Sequence, residues 1–467
     1  METKFKAVNH ENKIKMILKV DILQYYCRQV FQRLFIFIIL SLSSALSAME
    51  NLADILKIAE ESDPIYKEAK MSALAVAEKV PQARAQIFFP RIAIRASSNR
   101  VRDDISTTSF GANGISKYNS RGYGINLTQP IYHHDRLITL SQADKRVQKA
   151  QLEVIIAHQN LIYRVAETYF SILAAQDNLL FTKAQTKSLQ DQLKQTEQRF
   201  NVGLVPVTDV EEARAGYDRA SAELIQANHL IENTQEKLWE ITEQYHSKLE
   251  PLVENLPLIT PDPSDIRLWA ATAVQKSLVL KSANLTSAIA KQEIRRQSSR
   301  SLPTLDVIGS HGYGRQGGRF GASKIHKSDI GVEFNMPIFE GGKTLSLTKE
   351  AKYKHDAAVE QLESTRRAVQ RETRQAYLGI MSQVSSVLAL KQAVISTTTA
   401  LNSTRAGFEV GTRTAVDVVT AEKLLSQSKR DYARAKYDYV LEVLRLKKAT
   451  GTLAPSDLVF AADWIAK

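Results

Sequence analysis

Cysteine is nearly absent from this chain of 467 residues, which has one, Cys27. Proline and glycine are scarce too, at 12 and 19 residues, and they are unevenly spread. No proline occurs from 338 to 454, and residues 131–202 hold neither glycine nor proline, so 72 residues run without a backbone breaker. Ordinary globular helices run about 8 to 20 residues. These tracts therefore exclude a string of small globular units and predict very long helices. Charge of one sign is lacking as well: 62 Lys+Arg face 50 Asp+Glu, interleaved as in Lys145, Arg146 and Glu153 or Arg366, Arg367 and Glu372. Without a basic patch there is no case for a nucleic-acid partner. The 44% apolar content excludes collagen-like and disordered classes.

A long hydrophobic run is also missing. The most apolar stretch, residues 34–46 (LFIFIILSLSSAL), has thirteen residues, short of the roughly 20 of a transmembrane helix. Seven Lys/Arg and three acids precede it, and small residues close it. This pattern reads as a secretory signal over 1–48, cleaved after Ser47 or Ala48, with Met16 as an alternative start. Cys27 lies before the cut, so the exported chain has no thiol. A disulfide framework, a cysteine nucleophile and a cysteine-based metal site are thereby excluded.

What is present is a repeat. Arg199-Phe200-Asn201-Val202-Gly203-Leu204-Val205-Pro206-Val207-Thr208-Asp209-Val210 recurs as Gly407-Phe408-Glu409-Val410-Gly411-Thr412-Arg413-Thr414-Ala415-Val416-Asp417-Val418, with Phe200/Phe408, Gly203/Gly411 and Asp209/Asp417 each 208 apart. Pro130-Ile131-Tyr132 matches Pro337-Ile338-Phe339, and Pro90 matches Pro303. The chain reads as a tandem duplication: a first repeat over 49–250, a linker over 251–263 marked by Pro251, Pro257, Pro261 and Pro263, a second repeat over 264–455 and a C-terminal segment over 456–467. Each repeat is expected to hold a helix (51–87, 264–300), two strands (about 89–101 and 121–132; 302–314 and 328–339), a long helix (135–200, 343–408), the Phe-x-Val-Gly turn and a return helix (207–248, 414–450).

The strands alternate: Tyr123, Ile125 and Leu127 interleave with Gly124, Asn126 and Thr128, and Ile330, Val332, Phe334 and Met336 with Gly331, Glu333 and Asn335. Segments of about ten residues suit a tilted membrane strand, and Phe88, Phe89, Tyr132 and Phe339 stand where an aromatic girdle belongs. A small soluble sheet would alternate equally, yet no other segment offers a layer to cover the apolar face. Four strands cannot close a barrel when even the smallest has eight; three copies supply twelve. In the long helix Leu140, Val147, Val154 and Leu161 recur every seven residues with Ala143, Ala150 and Ala157 between them, a coiled-coil seam with close backbone approach. Residues 135–200 would span roughly 100 Å.

Chemistry-bearing motifs are weak. Gly312-Tyr313-Gly314-Arg315-Gln316-Gly317 fits G-x-G-x-x-G, but further glycines and a strand follow it instead of a helix. Gly342-Lys343-Thr344 lacks the first glycine of a P-loop, since residue 337 is proline. His133-His134 has no third ligand in register. No enzyme, no cofactor and no metal site is expected. At the turns, Thr208, Asp209, Thr412, Thr414 and Asp417 suit helix starts. Arg413 does not, because a cation at a helix N-terminus opposes the macrodipole by a few tenths to about 1 kcal/mol; this calls for a carboxylate, and Asp209 lies on the matching turn.

With the duplicated turn, the strand pairs, the long helices and the export signal, the sequence resembles the TolC-like outer-membrane efflux and secretion channels over residues 50–467; Arg-Phe-Asn-Val-Gly-Leu-Val at 199–205 and Val-Gly-Thr-Arg-Thr at 410–414 carry the likeness. The resemblance implies a mainly α protein with a transmembrane β-barrel: a homotrimer with a twelve-stranded barrel in the outer membrane, in contact with its lipid, and a twelve-helix tunnel in the periplasm. It further implies a periplasmic adaptor and an inner-membrane ABC or RND-type pump as partners. By the same resemblance Arg413 would pair with Asp209 and Thr208 of a neighbouring protomer, Asp417 would belong to an acidic ring, and Phe408 stands where relatives place a tyrosine, losing one hydrogen bond of the closed tip. Thr420 replaces a second acid found in some relatives. The rival reading, a periplasmic adaptor, has one helical hairpin where this chain has two. Cargo is not legible, since a duct selects little.

Overall fold

The computed structural model describes residues 50–106, 114–246, 248–317 and 321–462. The expected signal segment 1–48, and Arg319 in the second strand loop, lie outside them.

The first repeat opens with three short helices, α1 (Leu52–Ser62), α2 (Pro64–Ala77) and α3 (Lys79–Phe88), where one helix over 51–87 was expected. The break is chemical: proline disfavours helical geometry in the residue before it, and Asp63 is extended at ψ 120°, its carboxylate accepting from the Tyr66 N–H at 2.7 Å. The second repeat breaks at the equivalent place without proline. There α6 (Ile266–Lys276) yields to α7 (Leu278–Ser298) at Ser277, whose ψ is 123° and whose side chain caps Leu280. Expectation of a single helix over 264–300 is corrected accordingly.

The strands are β1 (Arg91–Ile105), β2 (Gly114–Tyr132), β3 (Thr304–Gln316) and β4 (Ser323–Asn335). They differ from the expected bounds: β2 opens at Gly114 instead of near 121, and β4 covers 323–335, leaving Pro337-Ile338-Phe339 outside, whereas the matching Pro130-Ile131-Tyr132 ends β2 at a register shift. All neighbours are antiparallel in the order β1-β2-β3-β4, so β1 and β4 are open edges.

The long helices are α4 (His134–Asn201) and α8 (Lys343–Glu409), of 68 and 67 residues, each about 100 Å long at 1.5 Å per residue. They return as α5 (Val207–Thr242) and α9 (Ala415–Ala449). The expected end of α5 at 248 is corrected to 242, where Glu243 turns left-handed. A last helix, α10, covers Pro455–Ala462. Contacts join α4 to α5 and α8 to α9, with α7 packed on both long helices.

The main core sits midway along the hairpins, where Leu52, Ile55, Leu161, Val165, Tyr169, Phe170, Ile380, Tyr439 and Leu458 are almost fully buried. Duplicated tyrosines pin the linker region there: Tyr169 donates to the Glu250 carbonyl at 2.7 Å, and Tyr377, 208 residues later, donates to the Ser264 carbonyl at 2.8 Å. Burial raises the Tyr169 hydroxyl's pKa, with Glu250 adding to the effect. This end-to-middle order places the sheet at one end of the molecule and the two Phe-x-Val-Gly turns at the other.

Candidate functional site

Both turns end their long helices by one mechanism. Gly203 and Gly411 adopt φ of 78° and 81°, a region that residues with a Cβ enter only at a cost. In the first turn the Gly203 N–H donates to the Phe200 carbonyl and the Leu204 N–H to the Arg199 carbonyl, each at 2.9 Å; in the second, Gly411 donates to Phe408 at 3.2 Å and Thr412 to Gly407 at 2.8 Å. This is the paired bonding of a Schellman motif, which satisfies the last carbonyls of each helix.

The turns diverge in how the next helix begins. In α9, Thr414 and Asp417 form a reciprocal capping box: the Thr414 N–H donates to the Asp417 carboxylate at 3.0 Å, and the Asp417 N–H to the Thr414 hydroxyl oxygen at 3.3 Å. The bond from the Thr414 N–H foremost, helped by the Thr414 side chain and the nearby Arg413 charge, holds the Asp417 carboxyl below its ordinary value. In α5 the cap position is Pro206, which has no side chain to accept from the helix. Thr208 is exposed and Asp209 half-buried, and among the described residues neither makes a side-chain hydrogen bond or ion pair. Arg413 is exposed and equally without an ion pair. The protomer thus brings Arg413 beside Asp417, and leaves the expected Arg413–Asp209 partners apart.

Phe408 is buried against Ala415 and Val418. Its outer face is covered by Arg199 of the other turn, whose guanidinium lies 4.7 Å from the ring centroid and donates to the Phe408 carbonyl at 3.3 Å. Arg199 occupies the position equivalent to Gly407, where a Cβ would come within 2.7 Å of the Arg413 Cγ. One repeat therefore uses this position to reach across, and the other uses it to seat the Arg413 stem. The sequence reading passed over Arg199 although it opens the repeated motif.

A second link missed by the sequence reading stands further up the hairpins. Glu422, buried on α9, accepts from Arg405 of α8 and from the Ser188 hydroxyl of α4 at 2.7 Å, and Arg405 also donates to Ser188 at 2.9 Å. Arg430 continues this seam by donating to Thr182 and Ser426, and Tyr437 by donating to Asp177 at 2.7 Å. His133 ties the start of α4 to β3, its Nε2 lying 3.0 Å from both Asp306 carboxylate oxygens. The Gly312–Gly317 motif lies along β3 and its end, with no helix opening after it.

A family model described as outer membrane efflux protein matches residues 55–242 and 269–452. The chain is 35% identical over 423 residues to outer membrane protein TolC of Vibrio cholerae serotype O1, covering 90% of this chain and 94% of that one. It is 25% identical over 420 residues to the alkaline protease secretion protein AprF of Pseudomonas aeruginosa, covering 87% and 85%. The solved CmeC outer membrane channel of Campylobacter jejuni shares the fold, with a TM-score of 0.73 at 18% identity and 89% of each chain covered.

Proposed function

Because this chain belongs to the outer membrane efflux protein family, we propose that it works as a passive exit duct closed at its periplasmic end by the paired helical turns. It is an outer-membrane channel of efflux and type I secretion, and it is not an enzyme. After removal of residues 1–48, two repeats (49–250 and 264–455) joined by the 251–263 linker form one protomer of a homotrimer, with 456–467 as the C-terminal segment. Three sheets close a twelve-stranded barrel, and the hairpins form a twelve-helix tunnel reaching into the periplasm.

The observation that carries this reading is the sheet with two open edges at the end of two hairpins whose long arms run about 100 Å. Open edges with exposed apolar residues, such as Ile330 at 85% and Ile94 at 72%, demand pairing. Oligomerisation also suits α8, whose most apolar 18-residue stretch is only 11% buried in the protomer. Met381, Leu388 and Ile395 stand exposed there at seven-residue spacing, a seam for a neighbouring helix.

At the tip, Arg413 pairs with Asp209 and Thr208 of the next protomer, Phe408 anchors the second turn by packing, and Asp417 lines the constriction. A periplasmic adaptor and an inner-membrane ABC or RND-type pump dock on the helical end and open it; the pump selects the cargo. The test is purification of the mature protein from outer membranes. Native mass spectrometry is expected to give three copies, and planar bilayers a small steady conductance. A monomer, or a wide permanently open pore, contradicts the reading.

A further inference from the structure

We propose that the outer end of the sheet carries a binding surface for the phosphate groups of outer-leaflet lipid, built on Arg121, Arg315 and Lys324. The proposal rests on the membrane seat described above. Directly opposed residues share a face, and faces alternate along a strand, so the register sorts the sheet into rows. One row is Ala96, Tyr123, Tyr313 and His326. Its rings touch, with centroids 5.9 Å apart for Tyr123–Tyr313 and 4.9 Å for Tyr313–His326. Towards the helices the same face presents Ile94 and Ile125, then Ile92, Leu127 and Ile330, then Val307 and Val332, then Leu305 and Phe334. His311, hydrogen-bonded to Ser328 at 2.7 Å, interrupts this apolar band. Eight residue steps from Phe334 to His326 rise about 27 Å along the strand, or about 21 Å once tilted, close to the height of a lipid-facing band ending in an aromatic girdle.

One row beyond the rings, on that same face, the opposed residues are Ser98, Arg121, Arg315 and Lys324. Three cationic residues thus stand side by side on adjacent strands, which lie about 4.8 Å apart. All three are exposed, and none has an ion pair among the described residues. Arg100, Arg102 and Lys117 extend the patch outward, and Asp104, three rows further out, is the acid present on this face among the described strands. The opposite face is mixed: Lys327 pairs with Asp329 at 3.3 Å, and Asp103 accepts from Tyr118 at 2.9 Å. Like charges directly opposed repel, and a multiply charged phosphate, which arginine grips through two parallel donors, converts that repulsion into binding. A row immediately above the girdle is the headgroup level, where each cation attracts anionic lipid; this favours a lipid phosphate over a soluble anion.

The experiment extracts the full mature protein from outer membranes into neutral detergent and titrates it with diphosphorylated lipid A, counting bound copies by native mass spectrometry. Phosphatidylcholine is the zwitterionic reference. Replacing Arg121, Arg315 and Lys324 together by glutamine is expected to weaken lipid A binding about a hundredfold, and Arg315→Gln alone about fivefold. The control pair Arg95→Gln and Lys327→Gln, on the opposite face, is expected to leave it within about twofold. No loss in the first variants, or equal loss in the control, overturns the proposal. A parent protein that does not fractionate with outer membranes overturns the membrane reading and this surface with it.

Discussion

Gly451 and Glu243 hold equivalent places at the ends of α9 and α5, and both are left-handed, at φ 71° and 58°. Their surroundings decide what each tolerates. Glu243 is exposed, whereas a Cβ on Gly451 would stand 3.0 Å from the Lys276 carbonyl oxygen and 3.1 Å from the Ser277 Cα. Gly451→Ala combines left-handed strain of about 1–2 kcal/mol with a push on the α6–α7 break. We expect a loss of about 2–3 kcal/mol in chemical unfolding of the detergent-solubilised protein, and a change within about 0.5 kcal/mol for Glu243→Ala. Glu293 makes a different residue-scale prediction. Hydrogen bonds from Arg296 foremost, with Gln142 and Gln297, lower its pKa from the ordinary 4.5 to about 2 despite partial burial. A folded-state pKa below the unfolded one contributes stability that is full above about pH 4.5 and is lost as pH falls towards about 2. Glu293→Gln should therefore flatten the melting temperature against pH between those limits; an unchanged slope would show that the link from α7 to α4 does not bear on stability.

Elements expose what the sequence could and could not tell. Repetition made the hairpins legible, because Phe200/Phe408 and Gly203/Gly411 fix both turns and the absence of proline, and in α4 of glycine too, fixes the long helices between. Strand ends were less legible: β2 continues to Gly114 through polar residues such as Lys117 and Ser120, where alternation no longer reads as apolar against polar. The break at Ser277 has no proline to announce it, and only its match to Asp63 in the other repeat would have revealed it. At the site, the turn residues were legible singly, but the Arg199–Phe408 stack depends on how two turns lie together, which no local pattern encodes. The same holds for Arg405, Glu422 and Ser188, drawn from three helices. Arg405→Ala leaves Glu422 buried with one remaining donor, so it should destabilise by about 1–3 kcal/mol. The double variant with Glu422→Ala should recover part of that loss. A double variant that loses the sum of both single losses would mean the two side chains act independently.

At the scale of the whole molecule, one chain joins a sheet that needs partners at both edges to hairpins whose turns leave opposite charges unmatched. Asp209 sits on a helix start without a side-chain cap, and Arg413 opposes the dipole of α9 beside a capping box already closed by Asp417. In the proposed threefold assembly such turns meet at one tip, where each exposed pair would contribute about 0–1 kcal/mol. Three copies would bias the closed state by roughly 1–3 kcal/mol, enough to move an opening equilibrium by one or two powers of ten. Phe408 adds packing to the second turn, so in the proposed gate the ionic link would carry more of the closure. The most direct measurement is single-channel conductance in planar bilayers of the parent, Arg413→Ala, Asp209→Ala and the double variant. The predicted result is folded trimers in which each single change raises conductance and the double change opens little further, because both remove one link. Single variants that conduct like the parent, or effects that simply add, would contradict a gate at these turns.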